Sequence, residues 1–251
     1  MIDTHCHLTF KQFETDMDEV IESAKKVLSK VIVSGTEPED SLRSLGLREE
    51  HPEFIHIALG LHPKFAVDIT GKELEEYFEF IKSNRNNIVG IGEIGLDYYW
   101  VKDPLKVEKS KKIFEECLNL AKELKLPAIL HMRDAIEDGF EMVLNKDVKN
   151  AVFHCYSGKR SLAEQICAEG YYISIPTSIV RSKNMKKSAR GVPITSLLAE
   201  TDAPYLSPEE GKRNVPQNVK IVYEKIAEAR DMRLEDVIKA IDENCSRVFH
   251  F

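Results

Sequence analysis

The feature that most constrains the fold is an alternation of short apolar segments with longer amphipathic ones. Eight short segments are rich in apolar and β-branched residues, and stretches of helical periodicity separate them. The eight are MIDTH, KVIVSG, FIHIALG, NIVGIGE, PAILH, NAVFH, YYISIP and SLLAETD. Nearly continuous apolar strands separated by helices are typical of a parallel sheet covered on both faces. Eight of them in 251 residues predict an α/β fold, the (β/α)8 TIM barrel.

Signals for helix ends support the same organisation. TGKE from Thr70 and SLAE from Ser161 predict capping boxes, and Asp103 before Pro104 predicts an N-cap with a first-turn proline. VKIVYEKIAEAR and LEDVIKAIDENCSRVF predict two closing C-terminal helices after the eighth strand. A doubly wound open sheet is the alternative, but no glycine-rich dinucleotide or phosphate loop follows an early strand. With no linker and no repeat, we expect residues 1–251 to form a single domain.

Composition narrows the classes of function. The five cysteines are odd in number and scattered, which favours reduced thiols in a cytoplasmic protein over a disulfide framework. No apolar run approaches the roughly 18 to 20 residues of a membrane span, so we expect no membrane association. The net charge of −7 argues against a generally basic surface for coating nucleic acid, although it is compatible with a local basic patch.

The first predicted strand carries two histidines at its end, in DTHCHL. Side chains two residues apart on a strand point to the same face, so His5 and His7 are placed to hold one metal ion. For such a pair alone, the alternative is one histidine in the core and one exposed.

Four further metal-ligand candidates come where predicted strands end. They are Glu93, His131, His154 and Asp202. The carboxyl ends of strands form the active-site face of a parallel barrel, and histidines with carboxylates form metal sites there. Four histidines and two carboxylates are more ligands than one tetrahedral ion with an open position can take. We therefore expect two divalent ions.

Several motifs together resemble the TatD-type metal-dependent deoxyribonucleases. They are DTHCHL, GLHP, GEIGLDYY, HMRDA, FHCYSG, ETDAPYL and KRNVP, which span nearly the whole chain. The resemblance implies a TIM barrel, a dinuclear metal site and phosphodiester hydrolysis, often by trimming DNA from a 3′ end. The ligands implied are His5, His7 and Asp202 for the first ion, His131 and His154 for the second, and Glu93 for both. The loops SIPTSIVRSKNM and SPEEGKRN depart from the common family pattern and bear on substrate preference.

Two divalent ions would place a scissile phosphate between them and supply a hydroxide near neutral pH. The mixed imidazole and carboxylate ligands fit Zn, Mn, Co or Ni. The family resemblance also keeps Mg and Mn as candidate metals. Catalytic roles are expected for Glu93 and Asp202, and also for Glu200, which faces the same way as Asp202 and would orient a ligand or accept a proton. The alternative for Glu200 is a buried ion pair.

Residues next to the predicted ligands are candidate substrate contacts. His62 of GLHP would hydrogen-bond a phosphate, as the resemblance supports, or else cap a loop. Arg133 would contact phosphate bidentately, through two of its guanidinium nitrogens, or else pair with Asp134. Tyr98 and the two aromatic residues after it would stack on bases, or else pack against the barrel.

A basic segment after the seventh strand is the sharpest charge anomaly. Its cations are Arg181, Lys183, Lys186, Lys187 and Arg190. Such a run is often a solvated helix face, but the loops after strands seven and eight are the usual phosphate-binding corner of this barrel. We therefore expect Lys186 and Lys187 to contact a nucleic-acid backbone, with Lys212 and Arg213 extending the track.

Three hypotheses for function remain. The leading one is a nuclease acting on DNA ends, with RNA as a second substrate class and no obligate protein partner. The second is the same barrel hydrolysing another ester or amide, such as a D-aminoacyl-tRNA bond or a lactone. The third is a non-catalytic, metal-stabilised nucleic-acid-binding protein.

Overall fold

The computed structural model describes residues 1–251 and contains one sheet of eight parallel strands in the order β1 to β8. The strands are β1 Ile2–Cys6, β2 Lys30–Gly35, β3 Ile55–Leu59, β4 Gly90–Asp97, β5 Ala128–Arg133, β6 Ala151–Phe153, β7 Tyr172–Ile175 and β8 Leu197–Ala199. Each strand pairs in parallel with the next along the chain. All eight predicted strands are therefore present.

The barrel closes between β1 and the segment that follows β8. Cys6 and Ala203 form a parallel bridge, and the His7 amide donates to the Ala203 carbonyl at 2.7 Å. The amide of Asp202 donates to the His5 carbonyl at 2.9 Å. This closure confirms the predicted TIM barrel and joins the first and last predicted metal ligands through their backbones.

Ten α-helices surround the sheet. They are α1 Met17–Lys25, α2 Pro38–Glu50, α3 Pro63–Ala66, α4 Gly71–Ser83, α5 Pro104–Leu124, α6 Ile136–Asn145, α7 Arg160–Ala168, α8 Lys183–Gly191, α9 Val219–Arg230 and α10 Leu234–Phe249. The last two confirm the predicted closing helices. The helices pack on strands whose apolar residues are fully buried, such as Val31, Ile57 and Ile173. No helix is both long enough and apolar enough to cross a membrane.

Two of the three predicted helix starts are confirmed. The Thr70 hydroxyl accepts from the Glu73 amide at 3.3 Å, and the Glu73 carboxylate accepts from the Thr70 amide at 2.8 Å. This pair is the predicted capping box of α4. Asp103 caps α5 by accepting from two amides at 2.9 and 3.0 Å, with Pro104 in the first turn.

The capping box predicted at Ser161 is wrong. α7 begins one residue earlier, at Arg160, with Lys159 as its N-cap and no side-chain cap. The Tyr156 hydroxyl donates to the Lys159 carbonyl at 2.7 Å, which holds that residue at the start of the helix. Ser161 therefore lies inside the first turn, where its hydroxyl cannot act as an N-cap.

Candidate active site at the carboxyl end of the barrel

A cavity of about 750 Å³ opens at the carboxyl ends of the strands and is called here the mouth cavity. All eight strands, or the segments that follow them, contribute side chains to its lining. Examples in strand order are His7, Thr36, His62, Trp100, Arg133, Cys155, Ser178 and Tyr205. This is the face where parallel barrels place their active sites.

Glu93 lies at the base of this cavity because of an irregularity in β4. The pairing of β4 with β5 shifts register between Ile91 and Ile94, so one extra residue lies on β4 at this point. The backbone of Gly92 lies so close to β5 that a Cβ atom would stand 2.5 Å from the Cβ of Ile129. The prediction placed Glu93 at a strand end, but β4 continues to Asp97 and Glu93 lies within it.

The two oxygens of the buried Glu93 carboxylate face different pairs of histidines. Oε1 lies 2.6 Å from His131 Nδ1 and 2.8 Å from His154 Nε2. Oε2 lies 3.5 Å from His5 Nε2 and 3.6 Å from His7 Nε2. One carboxylate therefore stands between two imidazole pairs.

Asp202 completes the group on the side of His5 and His7. Its Oδ1 lies 3.4 Å from His7 Nε2 and 3.8 Å from His5 Nε2. It follows the end of β8 by three residues, rather than ending the strand as predicted, and its backbone has φ of 57°. The six residues are called here the ligand cluster; they are His5, His7, Glu93, His131, His154 and Asp202.

Polar groups on the outer side of three imidazoles orient their inner nitrogens. His7 Nδ1 donates to the Ser34 carbonyl at 3.1 Å, which leaves a lone pair on Nε2. His5 Nδ1 lies 3.2 Å from the Ser34 hydroxyl. His154 Nδ1 lies 3.4 Å from the Glu200 carboxylate. Such outer partners fix the tautomer that binds a metal.

His131 has the opposite orientation. Its Nε2 lies 3.0 Å from Asp97 Oδ2, and its Nδ1 points toward Glu93. The other oxygen of Asp97 accepts from the amides of Tyr99 and Trp100 at 3.0 and 2.9 Å. Asp97 was missed by sequence reasoning, although its place four residues after Glu93 in GEIGLD offered a signal.

The electrostatics of the cluster favour bound positive charge. Burial would raise the pKa of Glu93, but the neighbouring His154, His62 and His131 hold it well below its usual range. Burial would lower the pKa of His131 and His154, yet Glu93 raises both. Imidazole nitrogens and carboxylate oxygens within 4.8 Å of one another therefore match the ligand chemistry of a divalent transition metal.

His62 faces the same cavity but is a donor. Its Nδ1 accepts from the Lys64 amide at 3.0 Å, capping α3, so its Nε2 carries the proton. Burial lowers the pKa of His62 to about 3 despite the attraction of Glu93. His62 Nε2 lies 3.8 Å from Glu93 Oε1. It thus presents an N–H donor to the cavity beside the cluster.

Glu200 lies behind the cluster. It is 0% exposed and does not line the mouth cavity. Its Oε1 accepts from the Cys155 amide at 2.6 Å and faces the outer nitrogen of His154. Glu200 therefore contacts a ligand of the cluster and not the open space.

The other predicted substrate contacts divide into two groups. Arg133 is exposed and lines the mouth cavity. Tyr98 lies outside it, and its hydroxyl donates to Asp138 at 2.7 Å. Lys186 and Lys187 are on α8 and do not line it either.

Several lining residues were absent from the predicted site, or only mentioned beside it. Among them are Phe10, Lys64, Trp100 and Tyr205. Phe10, Trp100 and Tyr205 lie in loops after strands, where no periodic pattern marks the direction of a side chain, and Lys64 lies in the short helix α3. Arg213, expected to extend the basic track, instead pairs with Asp16 at 2.6 Å.

A parallel barrel with imidazoles and carboxylates gathered at its carboxyl end is the architecture of metal-dependent hydrolases. The family model described as TatD related DNase matches residues 2–250. The chain belongs to this family.

Named relatives are similar to this chain over nearly its full length. The metal-dependent hydrolase YabD of Bacillus subtilis is 36% identical over 99% of this chain and 98% of its own. The human deoxyribonuclease TATDN3 is 31% identical over 99% of this chain and 94% of its own. The crystal structure of YjjV, a TatD homologue from Escherichia coli, superposes with a TM-score of 0.92 at 31% identity, covering 100% of this chain and 98% of that one.

Proposed function

We propose that this protein hydrolyses phosphodiester bonds at the 3′ ends of DNA, with two divalent ions held by the ligand cluster. The observation that carries the proposal is the position of Glu93, whose two oxygens face separate imidazole pairs at 2.6–2.8 Å and 3.5–3.6 Å. A bridging carboxylate of this kind suits two cations close together. His5, His7 and Asp202 would hold one ion, and His131 and His154 the other.

Divalent ions in such a site supply Lewis acidity toward the phosphate and lower the pKa of a coordinated water. The side chains of the chain then position the substrate. His62 Nε2–H donates to a non-bridging phosphate oxygen, and the guanidinium of Arg133 binds the neighbouring phosphate at the rim. Burial would raise the pKa of Asp202, but the neighbouring His7 and His5 lower it, so the carboxylate is ionised and able to accept a proton from the attacking water.

Glu200 acts on His154 in this proposal. Its carboxylate faces His154 Nδ1, so it fixes the tautomer whose Nε2 lone pair points into the cluster. We therefore assign Glu200 a positioning role. Glu93 and Asp202 are the carboxylates that would contact the reacting atoms directly.

The shape of the cavity supports action on a strand end. A cavity of about 750 Å³ is in the roughly 300–1,000 Å³ range of small-molecule sites, too small for a duplex. The relative TATDN3 is named a deoxyribonuclease, and the 3′ polarity rests on the family resemblance.

The test is a substrate comparison with metal-loaded protein. We expect loss of label from 3′-labelled DNA, with 5′-labelled DNA shortened stepwise. A matched RNA, a D-aminoacyl-tRNA and a lactone panel are the competing substrates. Turnover of an ester or lactone with no DNA cleavage would favour the second hypothesis, and tight DNA binding without any turnover would favour the binding protein.

Glu93→Gln is the decisive variant. We expect hydrolysis to fall by more than about 100-fold and metal content to fall below two ions per chain, because an amide carries no charge to hold two cations together. Metal analysis and circular dichroism measure content and folding. Glu76→Gln, the same change on the exposed face of α4, is the control. A folded Glu93→Gln protein with two ions and normal turnover would contradict the bridging role.

A further inference from the structure

Two exposed aromatic side chains stand at the rim of the mouth cavity, one after β4 and one after β8. Trp100 is 65% exposed and Tyr205 is 48% exposed, although both line the cavity. Strands β4 and β8 are four places apart in a closed barrel of eight, so their loops lie on opposite sides of the opening. Large apolar rings left open to water on both sides of a site indicate contact with a ligand.

On the β4 side, the Trp100 ring is held by its neighbours. The Arg133 guanidinium lies 3.9 Å from the ring centre of Tyr99 and 5.8 Å from that of Trp100. The Tyr99 and Trp100 rings meet edge to face at 4.9 Å. The Trp100 amide donates to Asp97 at 2.9 Å, so the loop that carries the indole is tied to the ligand cluster. The indole is thus positioned before any ligand binds.

On the β8 side, Tyr205 is held in a comparable way. Its amide donates to the Asp202 carbonyl at 2.8 Å. Its ring meets that of Phe10 at 6.1 Å and 74°, and Phe10 stacks on His7 at 4.5 Å. Each aromatic side chain is therefore linked to a residue of the cluster.

We propose that Trp100 and Tyr205 stack on unpaired nucleobases on either side of the scissile phosphate. This inference rests on the proposed function and identifies what recognises the strand end. Aromatic rings accept any base because every base has a π-face, while Lys64 and Arg133 at the same rim match the phosphates between the bases. Bases in a duplex are already stacked on their neighbours, so Trp100 and Tyr205 would select single-stranded ends.

Trp100 is the only tryptophan in the chain, so its fluorescence reports on this site alone. The protein is titrated in EDTA, and again in Mg²⁺ with phosphorothioate linkages that resist hydrolysis. The probes are a short single-stranded oligonucleotide, a base-free deoxyribose phosphate oligomer of equal length, and a blunt duplex. We expect quenching by the first probe and little change with the other two.

The variants measure the energy of stacking. Trp100→Ala and Tyr205→Leu should each weaken binding of the single strand by about 5- to 100-fold, as expected for one stacked base. Binding of the base-free oligomer should change less than about 2-fold, since phosphate contacts remain. Trp100→Phe and Tyr205→Phe should restore most of the affinity. Leu42→Ala, which removes an exposed apolar side chain on α2, is the control.

The outcomes separate this proposal from the one on which it rests. DNA cleavage without quenching, or equal loss of affinity for both oligomers, overturns the stacking proposal and leaves the nuclease intact. Quenching by single strands without any cleavage supports the stacking site and overturns the proposed activity. Absence of both binding and cleavage overturns both.

Discussion

Each imidazole of the ligand cluster has one ring nitrogen engaged by a neighbouring group and the other directed inward. For His7 and His154 the inner atom is Nε2, whereas for His131 it is Nδ1. The difference arises from Asp97, which meets His131 from the side of the β4 loop. The orientation of His131 therefore depends on a carboxylate that lies outside the six residues of the ligand cluster.

This dependence leads to a prediction for Asp97→Asn. Oδ1 of Asp97 accepts two backbone amides, so the new amide oxygen should keep that place and its NH₂ group should face His131 Nε2. A donor there forces the proton of His131 onto Nδ1, the atom that would bind metal. We expect one of two ions to bind about 10- to 100-fold more weakly, as measured by equilibrium dialysis.

His131→Ala provides the comparison for Asp97→Asn. It should weaken the same ion selectively, with activity partly restored at higher metal concentration. Equal loss of both ions in either variant would argue against separate sites and against the tautomer mechanism.

The predictability of the site varies from residue to residue. All six ligand candidates converge as expected, because carboxyl ends of parallel strands meet at one end of a barrel. Asp97 was not predicted as a site residue because the strand was expected to end at Glu93, whereas β4 continues to Asp97. Trp100 and Tyr205 belong to loops, whose side-chain directions depend on tertiary contacts rather than on a period.

At the scale of elements, the approach of β4 to β5 places Glu93 beside His131. Gly95 makes this approach possible: its φ is 144°, and a Cβ atom would stand 2.1 Å from the His131 carbonyl oxygen. The hydrophobic pattern predicted both strands but carried no information on this local register shift. A bulge inserts one residue without altering the apolar character of its neighbours.

Gly95→Ala should therefore lower the free energy of unfolding by about 3 kcal/mol or more, because both the backbone angle and the clash are unfavourable. Gly46→Ala is the matched control, since Gly46 lies inside α2 with no atom within 4 Å of the added methyl group. We expect that change to stabilise the protein by about 0.5–1 kcal/mol. Urea unfolding of both variants measures the difference, and similar values for the two would contradict the close-approach argument.

At the scale of the whole molecule, a chain of net charge −7 must attract a polyanion locally. Lys64 and Arg133 are the two lysine or arginine side chains that line the mouth cavity. The basic segment lies farther out on α8, where Lys187 is exposed and Lys186 lies 3.4 Å from the Val180 carbonyl. We therefore expect the inner pair, Lys64 and Arg133, to contact the end of the DNA strand. The outer set on α8 would contact phosphates farther along that DNA strand.

The salt dependence of DNA binding distinguishes the two sets. Each phosphate contact on a single strand adds about 0.7 to the magnitude of the slope of log affinity against log salt. Replacing Lys64 and Arg133 with Gln should flatten the slope by up to about 1.4 even for a trinucleotide. Replacing Lys186 and Lys187 with Gln should leave the trinucleotide unaffected and flatten the slope by the same amount for an oligonucleotide of about 20 residues.

Affinities measured over a range of salt, with both oligonucleotide lengths and both double variants, check this arrangement. Hydrolysis of a substrate with one phosphodiester serves as the control and should barely change for the α8 variant. An unaltered slope on the long strand would make the basic segment a solvated helix face. Selection of DNA would then depend on the ligand cluster, on Lys64 and Arg133, and on the rim residues Trp100 and Tyr205, because those groups would still contact the DNA strand.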